Sequence, residues 1–102
     1  MVRGMFMTIR KERFGDVMDV TLEGRLDTLS SPLLEQELEQ SYSGLHELRI
    51  DLGGLEYISS AGLRVLLGAQ RKMNRFGSLI VFGAKCQVMD ALETTGFARI
   101  MM

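Results

Sequence analysis

The stretch Asp51-Leu-Gly-Gly-Leu-Glu-Tyr-Ile-Ser-Ser-Ala-Gly-Leu-Arg-Val-Leu-Leu67 decides the fold, because strand, cap and helix signals meet within it. An apolar strand is predicted to end near its start, where two adjacent glycines interrupt the pattern. Two serines and two small residues then precede a strongly apolar run with helical spacing. That order of residues is typical of a helix N-terminus that follows a strand.

The hydroxyls at this predicted helix start are candidates for function. Ser59 or Ser60 is suited to cap the first turn by accepting a hydrogen bond from an unpaired N–H. Ala61 and Gly62 are small and leave other N–H groups open. Because these donors lie at the positive end of the helix dipole, the segment favours an anion such as phosphate.

Upstream of this stretch the sequence predicts an antiparallel hairpin. Apolar and polar residues alternate from Met5 to Arg10, which is the period of a strand with one covered face. The turn signal Phe14-Gly15-Asp16 follows, and the alternation resumes from Met18 to Glu23. The segment from Gly24 to Leu29 is then predicted to leave the sheet as a loop.

The next elements are an acidic helix and a strand. Ser31 as cap and Pro32 as first helical residue predict a helix start. The helix should bury one face, which holds Leu33, Leu34, Leu38 and Tyr42. Alternation from residue 45 onward then predicts a strand that ends near Leu52.

Downstream, helical spacing from Gly62 predicts an apolar stripe of Leu66, Ala69, Met73 and Phe76, with the helix ending at Gly77. The apolar run Leu79–Phe82 is typical of an interior strand, which should lie beside the 47–52 strand through a right-handed crossover. A last helix near Gln87–Glu93 and a closing segment Phe97–Met102 complete the chain. We predict an α/β domain over residues 1–102. Its mixed sheet has four to five strands, with an N-terminal antiparallel hairpin and a parallel βαβ portion, and three to four helices cover it.

Composition excludes several classes of protein. The 102 residues have a formal net charge of −1, which does not suggest a nucleic-acid or membrane surface. Residues 1–51 hold six Lys and Arg against ten Asp and Glu, whereas residues 52–102 hold six against three. This asymmetry has two open interpretations, two solvated helix faces or a polarised docking surface. With one cysteine, Cys86, and no signal or membrane segment, we expect a cytoplasmic protein. We expect a monomer, because no exposed apolar face is evident, and no cofactor, because the nucleotide-binding motifs are absent.

Three segments together resemble the STAS family, the fold of bacterial anti-sigma factor antagonists. They are the Gly24-Arg-Leu-Asp27 loop, the core from Asp51 through Tyr57-Ile-Ser-Ser-Ala-Gly-Leu63, and the end Leu92-Glu-Thr-Thr-Gly96. Their order and spacing match that family's signature over most of the chain. The central motif is the most specific of the three, and the other two support it.

The resemblance implies a phosphorylation switch. Such antagonists bind a serine kinase that is also the anti-sigma factor, and this binding releases the sigma factor. Phosphorylation of a serine at the helix start ends the binding, and a serine phosphatase reverses the modification. The family pattern places the acceptor at Ser60. Many members carry Asp at the preceding position, where this chain has Ser59. This difference provides a second hydroxyl, so Ser59 is the second choice.

The same resemblance implies where the partner binds. The implied contact residues come from the loop and from the helix start: Asp27, Thr28, Ser59, Ser60, Ala61, Gly62, Leu63 and Arg64. Two interpretations of Asp27 stay open, a kinase contact or a turn residue before the first helix. Leu63 and Arg64 are either contacts or, respectively, a core and a solvent position, and for Leu63 we favour the core.

Other functions have weaker support in the sequence. A hydrolase built on these serines would need a base, and the only histidine is His46, which is predicted to lie on the alternating face of the preceding strand. No Gly-x-Ser-x-Gly elbow is present. One His and one Cys do not supply a metal site. We therefore expect no enzyme activity and no metal. The main alternative is a STAS interaction or scaffold subunit of a signalling or transport assembly, in which Ser60 only caps its helix.

Overall fold

The computed structural model of the chain describes residues 2–4 and 7–94. These residues form, in order, β1 (Val2–Gly4), β2 (Met7–Phe14), β3 (Val17–Leu26), α1 (Ser31–Glu39), β4 (Glu47–Ile58), α2 (Ser60–Met73), β5 (Ser78–Phe82) and α3 (Cys86–Thr94). Their strands form one sheet in the order β1-β2-β3-β4-β5, antiparallel from β1 to β3 and parallel from β3 to β5. The predicted α/β class, hairpin and βαβ portion are confirmed. The predicted strand start at Met5 and the segment Phe97–Met102 lie outside the described residues.

One face of the sheet holds the core. Val20, Ile50 and Val81 lie side by side on β3, β4 and β5, and all three are buried. The helices contribute to the same cluster, for example Leu38 from α1 and Leu66 from α2. The residues between the core positions of each strand point to the other face, which remains partly open to solvent. The helices therefore cover one face of the sheet.

Strand β4 runs through the two glycines, so the predicted strand end at Leu52 is wrong. The pairing with β3 shifts between Asp51 and Gly54, as at a β-bulge. A Cβ at Gly54 would lie 2.7 Å from Cγ of Glu23, so only glycine lets the two strands stay this close. Beyond the bulge β3 continues through residues 24–26, which were expected to form a loop, and pairs with β4 as far as Ile58. The glycines mark an irregularity within the strand and not its end.

Helix boundaries differ from the predicted ones by one to four residues. Ser30, not Ser31, occupies the cap position of α1. Helix α2 ends at Met73, before Gly77, because the N–H groups of residues 75–77 turn back to the last carbonyls of the helix. Phe76 therefore lies beyond the helix and is 40% exposed, so it does not extend the apolar stripe.

Strand β5 pairs with residues 47–51 of β4 in parallel, as predicted. It is not an interior strand, because it lies at the edge of the sheet that the described residues form. Its apolar run follows from burial on both faces, since Leu79 and Val81 are buried in the core while Ile80 and Phe82 are half-buried on the other side. No helix in the described ranges is long and apolar enough to cross a membrane.

Candidate functional site

Helix α2 begins directly where β4 ends, and Ser59 makes the connection. Its backbone is extended, with φ −93° and ψ 173°, and its N–H donates to the carbonyl of Leu26 at 2.9 Å. Its Oγ accepts a hydrogen bond from the N–H of Gly62 at 3.2 Å. Ser59 is therefore the N-cap of α2, and the carbonyl bond at its N–H fixes this cap to the last residue of β3.

Ser60 is the first residue of α2 and is exposed. Its hydroxyl makes no hydrogen bond within residues 2–4 and 7–94. The cap is supplied by Ser59, so the interpretation of Ser60 as a helix cap is wrong. What remains at Ser60 is a free hydroxyl at the positive end of a helix whose first turn contains no acidic residue.

Gly62 is buried beneath this helix start. A Cβ at this position would lie 2.7 Å from Cγ of Leu26 and 3.0 Å from Cγ1 of Ile58, so glycine allows α2 to press onto the ends of β3 and β4. The N–H of Gly62 is bound by Ser59 and is not open to an incoming anion, contrary to the expectation from sequence. Leu63 is half-buried and packs against the core.

The loop of Asp27 lies between β3 and α1. One oxygen of its carboxylate accepts hydrogen bonds from the N–H groups of Leu29 and Ser30, both at 3.1 Å. The hydrogen bond from the Ser30 N–H, aided by the Ser30 hydroxyl, holds the pKa of the Asp27 carboxyl below its ordinary value. The hydrogen bonds of Asp27 are those of a turn residue. Its contact with a kinase stays a prediction.

The loop and the start of α2 meet in one groove. Thr28 from the loop and Ala61 and Arg64 from α2 line it together, and Thr28 and Arg64 are exposed. Of the residues expected to contact a partner, Thr28, Ala61 and Arg64 line this groove, and Asp27 and Ser60 are their neighbours in the chain. Gly62 lies below them.

Sequence reasoning missed two exposed side chains near this site. Leu29 is 66% exposed. The sequence signal that could have identified it is an apolar residue within a run of turn-forming residues. Tyr57 is 41% exposed and lies under the guanidinium of Arg25, whose Cζ is 4.3 Å from the ring centre. No sequence pattern pairs these last two residues, because the bulge between β3 and β4 sets their register.

The only histidine of the chain does not lie near the two serines. His46 precedes β4, and its side chain approaches Asp16 at the end of the sheet opposite to Ser59. In the part of the chain that the structure describes, no group of three or more His, Cys, Asp or Glu is placed to hold a metal ion.

Comparisons with known proteins agree on one family. The STAS domain model matches residues 8–102. The anti-sigma-B factor antagonist of Listeria monocytogenes is 34% identical over 94 residues, which cover 89% of this chain and 82% of the relative.

Solved structures share the fold at lower identity. The anti-sigma factor antagonist SpoIIAA in its unphosphorylated form has a TM-score of 0.86 at 17% identity, covering 93% of this chain and 86% of that one. The Bacillus cell fate determinant SpoIIAA in its phosphorylated form has a TM-score of 0.79 at 16% identity, covering 93% and 89%. At these identities the likeness concerns the fold alone.

Proposed function

The chain belongs to the STAS domain family, and we propose that it is an anti-sigma factor antagonist switched by phosphorylation of Ser60. In this proposal the unmodified protein binds an anti-sigma factor serine kinase, and the sigma factor is released. The observation that supports it best is the exposed Ser60 hydroxyl, which is free because Ser59 performs the capping. The named function of the Listeria relative supports the same role.

The chemistry suits a reversible switch. The kinase transfers the γ-phosphoryl group of ATP to Oγ of Ser60, so that the new P–O bond replaces the bond to ADP and the hydroxyl proton passes to a base of the kinase. A serine phosphatase hydrolyses the product. The modified helix start stays folded, because the phosphate adds about −1.5 to −2 charges where the helix dipole favours an anion.

Partner binding responds differently from folding. A partner surface that fits a neutral hydroxyl meets a bulky dianion after phosphorylation, and its carboxylates or apolar groups are repelled or left without contacts. A loss of about 3 kcal/mol in binding free energy weakens affinity more than a hundredfold. The modification therefore changes binding while the fold persists. We propose a regulatory role and no catalytic one for this chain.

Peptide mass spectrometry on protein recovered from its native cells, in growth and under stress, tests the modification. We expect phosphate on the Ser60 peptide at levels that change with condition and that vanish in Ser60→Ala. Ser59→Ala is the matched control, since it removes the cap and leaves the acceptor. Phosphate that persists in Ser60→Ala and vanishes in Ser59→Ala would move the site to Ser59.

A capture experiment tests the partner. We expect the wild-type chain and Ser60→Ala to retain a serine kinase that Ser60→Asp does not retain. If no condition yields phosphate and all three baits bind the same proteins, the switch is contradicted and a scaffold role in a signalling or transport assembly takes its place.

A further inference from the structure

Leu29 is an apolar side chain that a hydrogen-bonded loop holds in solvent. It is 66% exposed, while its N–H donates to the Asp27 carboxylate at 3.1 Å. The next residue, Ser30, is buried, and its Oγ donates to the carbonyl of Arg25 at 2.8 Å and accepts from the N–H of Asp27 at 2.9 Å. The backbone around Leu29 is therefore ordered before any partner arrives, which lowers the entropy cost of binding.

A groove lies next to this loop, between α1 and α2. Its volume is about 490 Å³. It is lined by Thr28, Ser31, Pro32, Glu35, Ala61, Arg64, Val65, Gly68 and Arg71. A Cβ at Gly68 would meet no atom within 4 Å, so the absence of a side chain there leaves the groove open along the helix. The groove thus continues from the serine site along α2.

Two cations on the groove have no partner. Arg64 and Arg71 are both exposed, and neither forms an ion pair or hydrogen bond within the described ranges. Lys72 of α2, in contrast, is paired with Glu39 of α1 at 3.9 Å. Among the lining residues only Glu35 carries the opposite charge. Free guanidinium groups are suited to bidentate contacts with carboxylates.

We propose that Leu29 and this groove form the docking surface for the kinase partner, and that the partner presents an apolar pocket for Leu29 and carboxylates for Arg64 and Arg71. This inference rests on the proposed function and adds the chemistry of the interface. The groove continues from the proposed switch residue through Ala61, and its unpaired arginines are complementary to acidic groups on a partner. Asp27 acts here as a positioning residue for Leu29.

The same arrangement links docking to the switch. Arg64 follows Ser60 by four residues, so the two side chains are neighbours on the helix surface, and helical side chains lean toward the N-terminus. A phosphate on Ser60 competes with the partner's carboxylate for Arg64. Phosphorylation thus removes one of the two cations on which docking depends.

Affinity measurements with the purified kinase from the capture experiment test the surface. We expect Leu29→Ala to weaken binding about tenfold or more, and Leu29→Met to preserve it. Phe14→Ala is the matched control, because Phe14 is 57% exposed at the far end of the β2–β3 hairpin. Since Leu29 is exposed, its replacement should leave the urea midpoint unchanged, so lost binding is not lost folding.

The dependence of binding affinity on salt concentration tests the two arginines. Arg64→Gln and Arg71→Gln should each weaken binding and reduce its dependence on ionic strength, because each removes one attraction to the acidic partner. Arg75→Gln is the matched control, since Arg75 is exposed near the end of α2 and does not line this groove. An unchanged salt dependence in both groove variants would contradict the acidic partner surface.

A double-mutant cycle tests the positioning role of Asp27. Asp27→Ala removes the acceptor of the Leu29 and Ser30 N–H groups, so it should weaken binding in the wild-type background and have almost no further effect in Leu29→Ala. Equal effects in both backgrounds would make Asp27 a direct contact instead.

The two proposals fail in different ways. If the kinase binds the wild type and rejects Ser60→Asp while Leu29→Ala binds as well as Phe14→Ala, this docking surface is wrong and the switch stands. If no kinase binds the wild type, both proposals are wrong.

Discussion

Two adjacent serines at the start of α2 have different environments. The hydroxyl of Ser59 is half-buried and accepts the Gly62 N–H, whereas the hydroxyl of Ser60 is exposed and unbonded within the described residues. One side chain therefore stabilises the helix, and the other is available for modification. At the scale of single residues, this division means that the phosphate proposed for Ser60 would leave the cap in place.

The free energy of unfolding should separate the two serines. Ser59→Ala loses the cap and should destabilise the protein by about 1 kcal/mol. Ser60→Ala removes an exposed hydroxyl and should change stability by less than about 0.5 kcal/mol. Urea denaturation of both variants checks this, and a larger loss in Ser60→Ala would contradict the assignment of the cap.

At the scale of elements, the contact between α2 and the end of β3 decides where the site lies. Ser59 donates to the Leu26 carbonyl, and Gly62 lies against the Leu26 side chain. The helix start is thus fixed to the sheet by one hydrogen bond and one close approach. The position of Ser60 at the surface follows from these contacts.

Gly62→Ala tests the close approach. Alanine is the better helix former by about 1 kcal/mol, but its Cβ would clash with the side chain of Leu26, which is fully buried. Overpacking of this kind costs about 1–3 kcal/mol, so we expect net destabilisation. Thermal unfolding measures the result, with Gly68→Ala as control because a Cβ there meets open space and should stabilise the helix.

The sequence was sufficient for elements whose signal is local. Alternation in β3 and helical spacing in α2 predict the strand, the helix and their buried residues, such as Val20 and Leu66. It failed where a distant segment decides the outcome. Judged from its neighbours in sequence, the Gly53-Gly54 pair predicts the end of a strand. Pairing with β3 near Glu23 instead makes it a bulge within a longer strand.

The site shows the same limit. The motif indicates that a serine caps α2 and that another is exposed, but the choice between Ser59 and Ser60 depends on the Leu26 carbonyl, which is distant in sequence. Leu29 escaped notice because exposure is a property of the folded surface. The periodicity of apolar residues predicts which side chains of a helix or strand are buried. It does not predict which side chains of an irregular loop are exposed.

At the scale of the whole molecule, Tyr42 links stability to alkaline pH. Burial, with Glu39 and Glu35 nearby, raises the pKa of Tyr42 to about 12. In the unfolded chain a tyrosine ionises near pH 10, so ionisation favours unfolding above that pH. The stabilisation from this group is complete below about pH 10 and is lost as the pH rises toward 12.

Tyr42→Phe checks this assignment. The variant keeps the buried ring and removes the ionisable group, so its free energy of unfolding should fall less steeply than that of the wild type between pH 10 and pH 12. Urea midpoints across this range measure the difference. Parallel curves for the two proteins would show that other groups cause the alkaline loss of stability.

The parallel pairing of β4 has a consequence for how the molecule assembles. Val17 pairs with Glu47 and Glu47 pairs with Ser78, so partners about thirty residues apart must meet, whereas the β2–β3 hairpin needs only neighbours. Pairings between distant segments form slowly, because a long loop must close first. Ser59 reaches the Leu26 carbonyl only once β4 has joined β3. A kinase that recognises the finished helix start would therefore act only on chains in which β4 has already paired with β3.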